Sequence, residues 1–194
     1  MSKPQTSSGL KYKNQHGVVA IKDGVKQSLN IPPIHSQRKP KWLKVSLPSG
    51  ENYRELLHNV KSRGLNTVCE ESKCPNLAEC WSHKTATLMV LGDICTRACK
   101  FCAVDTGNPH GWLDPMEPYH TAQTVAFMKL KYVVLTSVDR DDLEDGGARH
   151  IAECVVQVKK KNPDVVIEVL SSDFAGSKSS LNILLGSGLN VFSQ

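Results

Sequence analysis

The 194-residue sequence has no apolar run near the ~20 residues that a membrane helix needs. No apolar h-region stands at its start, so a secretory signal is not expected either. Residues 1–22 hold no Asp or Glu, as transit peptides do, but also no Arg, which such peptides use. These absences point to a cytoplasmic chain with no membrane partner. Charge of one sign is scarce: the net charge is only +5, and without a clustered patch that falls short of a nucleic-acid footprint. An even cysteine count, the mark of a secreted disulfide scaffold, is missing too; there are seven. An odd number in a chain of this size suggests a reducing compartment and metal ligation. What is present is enough apolar material, 40% of residues, for a real core.

Residues 1–40 read as a largely irregular N-terminal extension, polar and interrupted by Pro4, Pro32, Pro33 and Pro40. Lys41–Leu47 could be a short extended segment. Tyr53, Leu56, Leu57 and Val60 then recur at helical spacing, and Gly64 supplies a stop. Further on, apolar runs alternate with helical patterns. Strands are expected at Thr87–Leu91, Tyr132–Thr136, Val165–Leu170 and from Leu189. Helices are expected at Thr121–Leu130, Ala148–Lys161 and around Leu181–Leu185. This is an α/β signature with parallel pairing, whose strands read as continuous apolar runs buried on both faces. In barrels of this kind the chemistry gathers at the C-terminal strand ends. Residues 65–86 and 92–117 show no convincing period and are too long to be idle loops.

Those two stretches hold six of the cysteines. Cys95, Cys99 and Cys102 stand in C-T-R-A-C-K-F-C, with no fourth ligand at pair spacing. Zinc sites come as two pairs, whereas close-set thiolates suit an iron–sulfur cube. Three ligands would leave one iron open to a small molecule, and Phe101 would shield the cube from water. Cys69, Cys74 and Cys80 stand in C-E-E-S-K-C-P-N-L-A-E-C. That spacing is weak alone, but beside the first triad it suggests a second cluster. Structural zinc, and a ferredoxin-like carrier with closed cubes, are the competing readings. The carrier would need a fourth thiolate for each triad.

The three segments C-E-E-S-K-C-P-N-L-A-E-C-W, G-D-I-C-T-R-A-C-K-F-C and Y-V-V-L-T-S-V-D-R-D-D-L-E-D-G-G-A closely resemble the lipoyl synthase family of radical S-adenosylmethionine enzymes. The resemblance runs from about Gly24 to Phe192. It implies an incomplete (βα) partial barrel of the radical S-adenosylmethionine type. The expected division is an extension at 1–40, an auxiliary-cluster region at 41–86 and a barrel core at 87–194. It implies that Cys95, Cys99 and Cys102 hold the radical-generating [4Fe-4S] cluster, whose open iron binds S-adenosylmethionine. It implies that Cys69, Cys74 and Cys80 hold an auxiliary [4Fe-4S] cluster that is consumed as the sulfur donor. The implied reaction inserts sulfur at C6 and C8 of an octanoyl chain carried on a lipoyl domain. An electron donor such as flavodoxin or ferredoxin is the other implied partner.

Other residues are weighed individually. Thr136, Ser137, Asp139, Arg140, Asp141 and Asp142 follow a strand, and members of this run, Thr136, Ser137 and Asp139 first, are candidates for S-adenosylmethionine contact; the plainer reading is a solvated turn capping a helix. Gly146 and Gly147 read as a tight turn, with a close backbone approach as the other reading, and Cys154 as a small buried side chain. His83 has no evident partner. The family pattern places His-Asn after the Val-Phe of the fourth strand, and an Arg-Ser-Ser serine further on as the auxiliary cluster's fourth ligand. Here the sequence reads Val191-Phe192-Ser193-Gln194, and Ser171-Ser172-Asp173-Phe174 stands where the family has Thr-Pro-Asp-Phe. The expectation is a C-terminally truncated copy, marginally stable, aggregating or dependent on a partner, with a bare sheet edge. A non-catalytic remnant that still binds clusters is the alternative to an active enzyme.

Overall fold

The computed structural model describes residues 6–24, 50–72, 74–82 and 87–194. The segment Lys41–Leu47 and His83 lie outside them. The larger sheet follows from the apolar runs: β4 (Leu88–Val90), β7 (Tyr132–Ser137), β8 (Val166–Leu170) and β9 (Val191–Ser193) pair in parallel. A short β3 (Asn66–Thr67) adds antiparallel to β4, giving the order β3-β4-β7-β8-β9. The crossovers are α4 (Glu117–Met128), α5 (Ala148–Lys161) and α6 (Lys178–Leu185). α5 packs between α4 and α6, and lysines 159, 160 and 161 occupy its last turn, where they complement the helix dipole.

Burial along β7 and β8 alternates, whereas β4 is buried throughout. Val133, Leu135, Ile167 and Val169 are buried with Ile151, Val155 and Val158 of α5, while Tyr132 and Leu170 are exposed. The expectation of strands covered on both faces holds for β4 and is corrected for β7 and β8. The helices cover one face of β7 and β8, whose other face is partly exposed, while β4 is buried along its whole length, Met89 included. On that open face Glu168 accepts hydrogen bonds from the Tyr132 hydroxyl and, at 2.8 Å, from Ser193.

Two pieces of the segment read as irregular extension are strands. β1 (Lys11–Lys13) and β2 (Val19–Ile21) form a hairpin around Asn14, whose side chain accepts from the Val18 N–H at 2.9 Å. At three residues each, they are too short for an alternation to be legible. β2 pairs with β6 (Asp105–Gly107), and β6 with β5 (Ile94–Cys95), making a second sheet β1-β2-β6-β5. Its interior is fixed by Asp105, which is fully buried. Asp105 accepts from the Tyr12 hydroxyl at 2.6 Å, the Asp23 N–H at 2.8 Å and Lys22 at 3.3 Å.

The two long aperiodic stretches are likewise partly regular. Residues 65–86 contain β3, α2 (Val68–Glu71) and α3 (Leu77–Ser82), and residues 92–117 contain β5, β6 and the start of α4. These elements are two to six residues long, below what periodicity can register. α4 begins at Glu117, four residues before the expected start, because Pro118 suits the first helical turn. The helix from Tyr53 to Val60 is α1 (Glu51–Ser62). Its Leu56 and Val60 join Leu65, Trp81 and Met128 in a second apolar cluster.

Candidate functional site

Cys95 ends β5 and is nearly buried, Cys102 is half-buried and Cys99 is exposed. The loop between them is a tight turn, with the Cys102 N–H donating to the Cys99 carbonyl at 3.0 Å. Two sulfurs receive backbone donors: Arg97 N–H to Cys95 Sγ at 3.4 Å, and Val104 N–H to Cys102 Sγ at 3.5 Å. Burial pushes the Cys95 thiol up; the Arg97 N–H opposes this, and the nearby Asp139 charge and Cys102 add to it. A sulfur that accepts N–H bonds but is costly to ionise alone suits a thiolate whose charge is met by a cation. Phe101 is 93% exposed, so in this conformation it does not shield the sulfurs as expected.

The second triad is built by α2 and α3. Thr67 caps α2 by accepting from the Glu70 N–H at 3.3 Å. Cys69 lies on α2, the Cys74 N–H donates to the Cys69 carbonyl at 3.0 Å, and Cys80 lies on α3. Cys69 and Cys80 pack against the apolar cluster of Leu56, Val60 and Trp81. The Cys80 thiol is raised, first by burial and then by Cys69 and Cys74. The three sulfurs are therefore electrostatic neighbours although eleven positions separate the outer two. Each group of three thiols suits the ligand chemistry of an iron–sulfur cluster.

The C-terminal end of β7 borders the first triad. Asp139 accepts from Cys95 Sγ at 3.7 Å, and its backbone carbonyl accepts from the Thr96 N–H at 3.0 Å. Burial raises the Asp139 carboxyl, with Arg97 pulling the other way. Thr136 is half-buried, with Leu170 and Met89 as its register neighbours, and the Ser137 hydroxyl is buried without a partner among the described residues. An orphaned buried hydroxyl is costly and suits a site where a polar ligand completes it. Of the candidate run, the structure brings Asp139 against a cysteine and puts Thr136 and Ser137 at the strand end beside it.

Glu117, His150 and Arg97 went unrecognised in the sequence, whereas Arg140, Asp141 and Asp142 belong to the run read as a candidate S-adenosylmethionine contact. Glu117 is buried at the start of α4 and accepts from the Leu91 and Gly92 N–H groups at 2.9 and 3.2 Å. It also contacts His150 Nε2 at 2.7 Å. It thus fixes the turn that leads from β4 to the cysteine loop. Arg140 is 1% exposed; it forks onto Asp142 at 2.7 and 2.8 Å and donates to the carbonyls of Leu91 and Trp112. Arg97 binds Asp139, Asp141 and Asp173. The legible hints were the Arg inside the cysteine motif and the Asp-Arg-Asp-Asp run after β7.

Comparison with known proteins bears on this arrangement. Residues 89–193 match the model of the Radical SAM superfamily. The chain belongs to the radical SAM superfamily. Proteins of this superfamily work with S-adenosylmethionine and a [4Fe-4S] cluster. In this radical SAM chain, residues 12–74 also match the N-terminal domain of lipoyl synthase of the radical SAM family. A lipoyl synthase of Marinobacter nauticus is 55% identical over 194 residues, all of this chain and 56% of the relative. One of Halorhodospira halophila is 56% identical over 178 residues, 92% of this chain and 53% of the relative. One of Legionella pneumophila strain Corby is 54% identical over 188 residues, 96% and 56%. The resemblance to lipoyl synthase is borne out, and the chain spans about half the length of the curated relatives it matches.

Proposed function

We propose that this chain carries lipoyl synthase chemistry, the insertion of sulfur at C6 and C8 of a protein-bound octanoyl group. The supporting observation is the pair of cysteine triads, one at a strand end beside Asp139 and the other on two short helices. Cys95, Cys99 and Cys102 would hold the cluster that engages S-adenosylmethionine, and Cys69, Cys74 and Cys80 the auxiliary one. Bound there, the two clusters and S-adenosylmethionine would supply one-electron cleavage, hydrogen abstraction and sulfur. The chain's own part is placement. Thr136, Ser137 and Asp139 would receive the polar end of S-adenosylmethionine, Asp139 accepting from its ammonium group. Glu117, held by His150, keeps the Leu91–Gly92 turn in place. Arg140, buried against Asp142, ties that turn to the strand end after β7. The division into an auxiliary-cluster region at 41–86 and a core at 87–194 belongs to the same reading. So do a cytoplasmic location, an octanoylated lipoyl carrier domain as substrate, and flavodoxin or ferredoxin as electron donor.

The test uses anaerobically reconstituted protein, S-adenosylmethionine, dithionite and an octanoylated carrier peptide. Replacing Cys95, Cys99 and Cys102 by Ala should abolish 5′-deoxyadenosine formation. Replacing Cys69, Cys74 and Cys80 by Ala should leave that formation measurable and abolish sulfur insertion. Material that binds both clusters but releases no 5′-deoxyadenosine would instead mark a cluster-binding remnant.

A further inference from the structure

Arg97 sits in the loop between the first two cysteines of the shorter triad. Its Nε and Nη2 donate to the two carboxylate oxygens of Asp141 at 2.9 and 2.8 Å. The same Nη2 reaches Asp173 at 2.8 Å, and Nη1 lies 3.3 Å from Asp139. Asp139 and Asp141 follow β7, whereas Asp173 follows β8. One planar fork therefore gathers carboxylates from two successive strand ends. An isolated surface pair would be worth little, but a bidentate contact within a network of four charges is the exception.

Two further features show what is being held. Among the described residues, the side chains of positions 96–101 that hydrogen-bond to another element are Thr96 and Arg97. Thr96 bonds the Asp139 carbonyl at 3.0 Å, while Cys99 and Phe101 are exposed. Asp173 also accepts from the Ala175 N–H at 2.9 Å, beside Phe174 and Ala175 at φ +46° and +50°. A strained turn persists only when its surroundings over-determine it, and the Arg97 contact is part of that restraint. Three carboxylates around one guanidinium leave the group net negative. Arg97 is thus not a free counter-charge for anionic sulfur; its contribution is geometric.

We propose that Arg97 is a positioning residue, locking the three-cysteine loop onto the C-terminal ends of β7 and β8 so that thiols and strand ends form one rigid platform for S-adenosylmethionine. The inference rests on the assignment of Cys95, Cys99 and Cys102 as cluster ligands. The test is electron paramagnetic resonance of the reduced, reconstituted chain, titrated with S-adenosylmethionine, for wild type, Arg97→Lys and Arg97→Gln. Arg97→Gln should keep wild-type iron content yet need about 10-fold or more S-adenosylmethionine for the spectral change, the range typical of lost supporting contacts around a metal site. Arg97→Lys, which keeps the charge but not the fork, should recover part of that loss. Asp173→Asn, which removes one exposed carboxylate, should move the same titration in the same direction, and it carries the test if Arg97→Gln does not fold. Titrations of all three variants that superimpose on wild type overturn the inference and leave the cluster assignment standing. A wild-type signal that ignores S-adenosylmethionine overturns both.

Discussion

At the scale of single residues, the proposed ligand thiols stand out because ligand spacing is a local property of the sequence. Their supports do not. Arg97 and Asp173 are far apart in sequence, and nothing local announces that they meet. Arg140 and Asp142 are close in sequence, but their near-complete burial becomes visible only in the fold. Burial opposes ionisation of Asp142, yet its bonds from Arg140 and the Gly111 N–H hold its carboxyl below the usual range. Asp142→Ala leaves a buried guanidinium without its counter-charge. The expected cost is about 3–5 kcal/mol, read by urea denaturation of the cluster-free chain. A loss below about 1 kcal/mol would show that the pair is not holding the strand end.

At the scale of elements, α5 was readable to the residue and β7 to within one, since both are long enough for their periods to register. The hairpin β1–β2 and the short α2 and α3 were not, because two to six residues do not make a period. The reading of Gly146–Gly147 as a turn holds, and Gly147 also makes the close approach weighed beside it. Gly147 lies at φ +88°, and a Cβ there would stand 2.5 Å from Leu91 Cδ1. Gly147→Ala therefore carries both a backbone penalty of about 1–2 kcal/mol and a clash with the segment leading to the cysteine loop. A loss of about 2 kcal/mol or more in apparent stability is expected in the same denaturation measurement. Gly111→Ala makes a control: it also has positive φ, +76°, but open space around it, so its loss should be smaller.

Across the whole molecule, the expected barrel fragment is present as four parallel strands with their helices. The second sheet, which carries the first cysteine of the loop, was not foreseen. Among the described residues no helix is long and apolar enough to cross a membrane. The titrating groups define a pH range of greatest stability. Asp141, Asp142 and Asp173 have depressed carboxyls in the folded chain. Their contribution is present above the unfolded value of about 3.9 and is lost as pH falls through the still lower folded values. Burial raises the Cys154 thiol, and burial with the bond to Asp105 raises the Tyr12 hydroxyl. Those contributions are complete below the unfolded values of about 8.5 and 10, and are lost as pH rises beyond them. Asp139, whose carboxyl burial raises, opposes the acid-side trend, so melting temperatures of the cluster-free chain should decline below about pH 4 and above about pH 8, with the maximum between about pH 5 and 8. A maximum outside that interval would contradict the assigned shifts.

The leading hairpin also bears on the third cysteine. A Cβ on Gly24 would lie 3.1 Å from the Cys102 carbonyl oxygen and 3.3 Å from that of Val104. The backbone just after β2 thus rests directly against the peptide that presents a proposed iron ligand. Proteolytic clipping or recombinant trimming ahead of residue 25 would strip away this support. A shortened product should then surrender its iron to a chelator faster than the intact chain, even with every thiol in place.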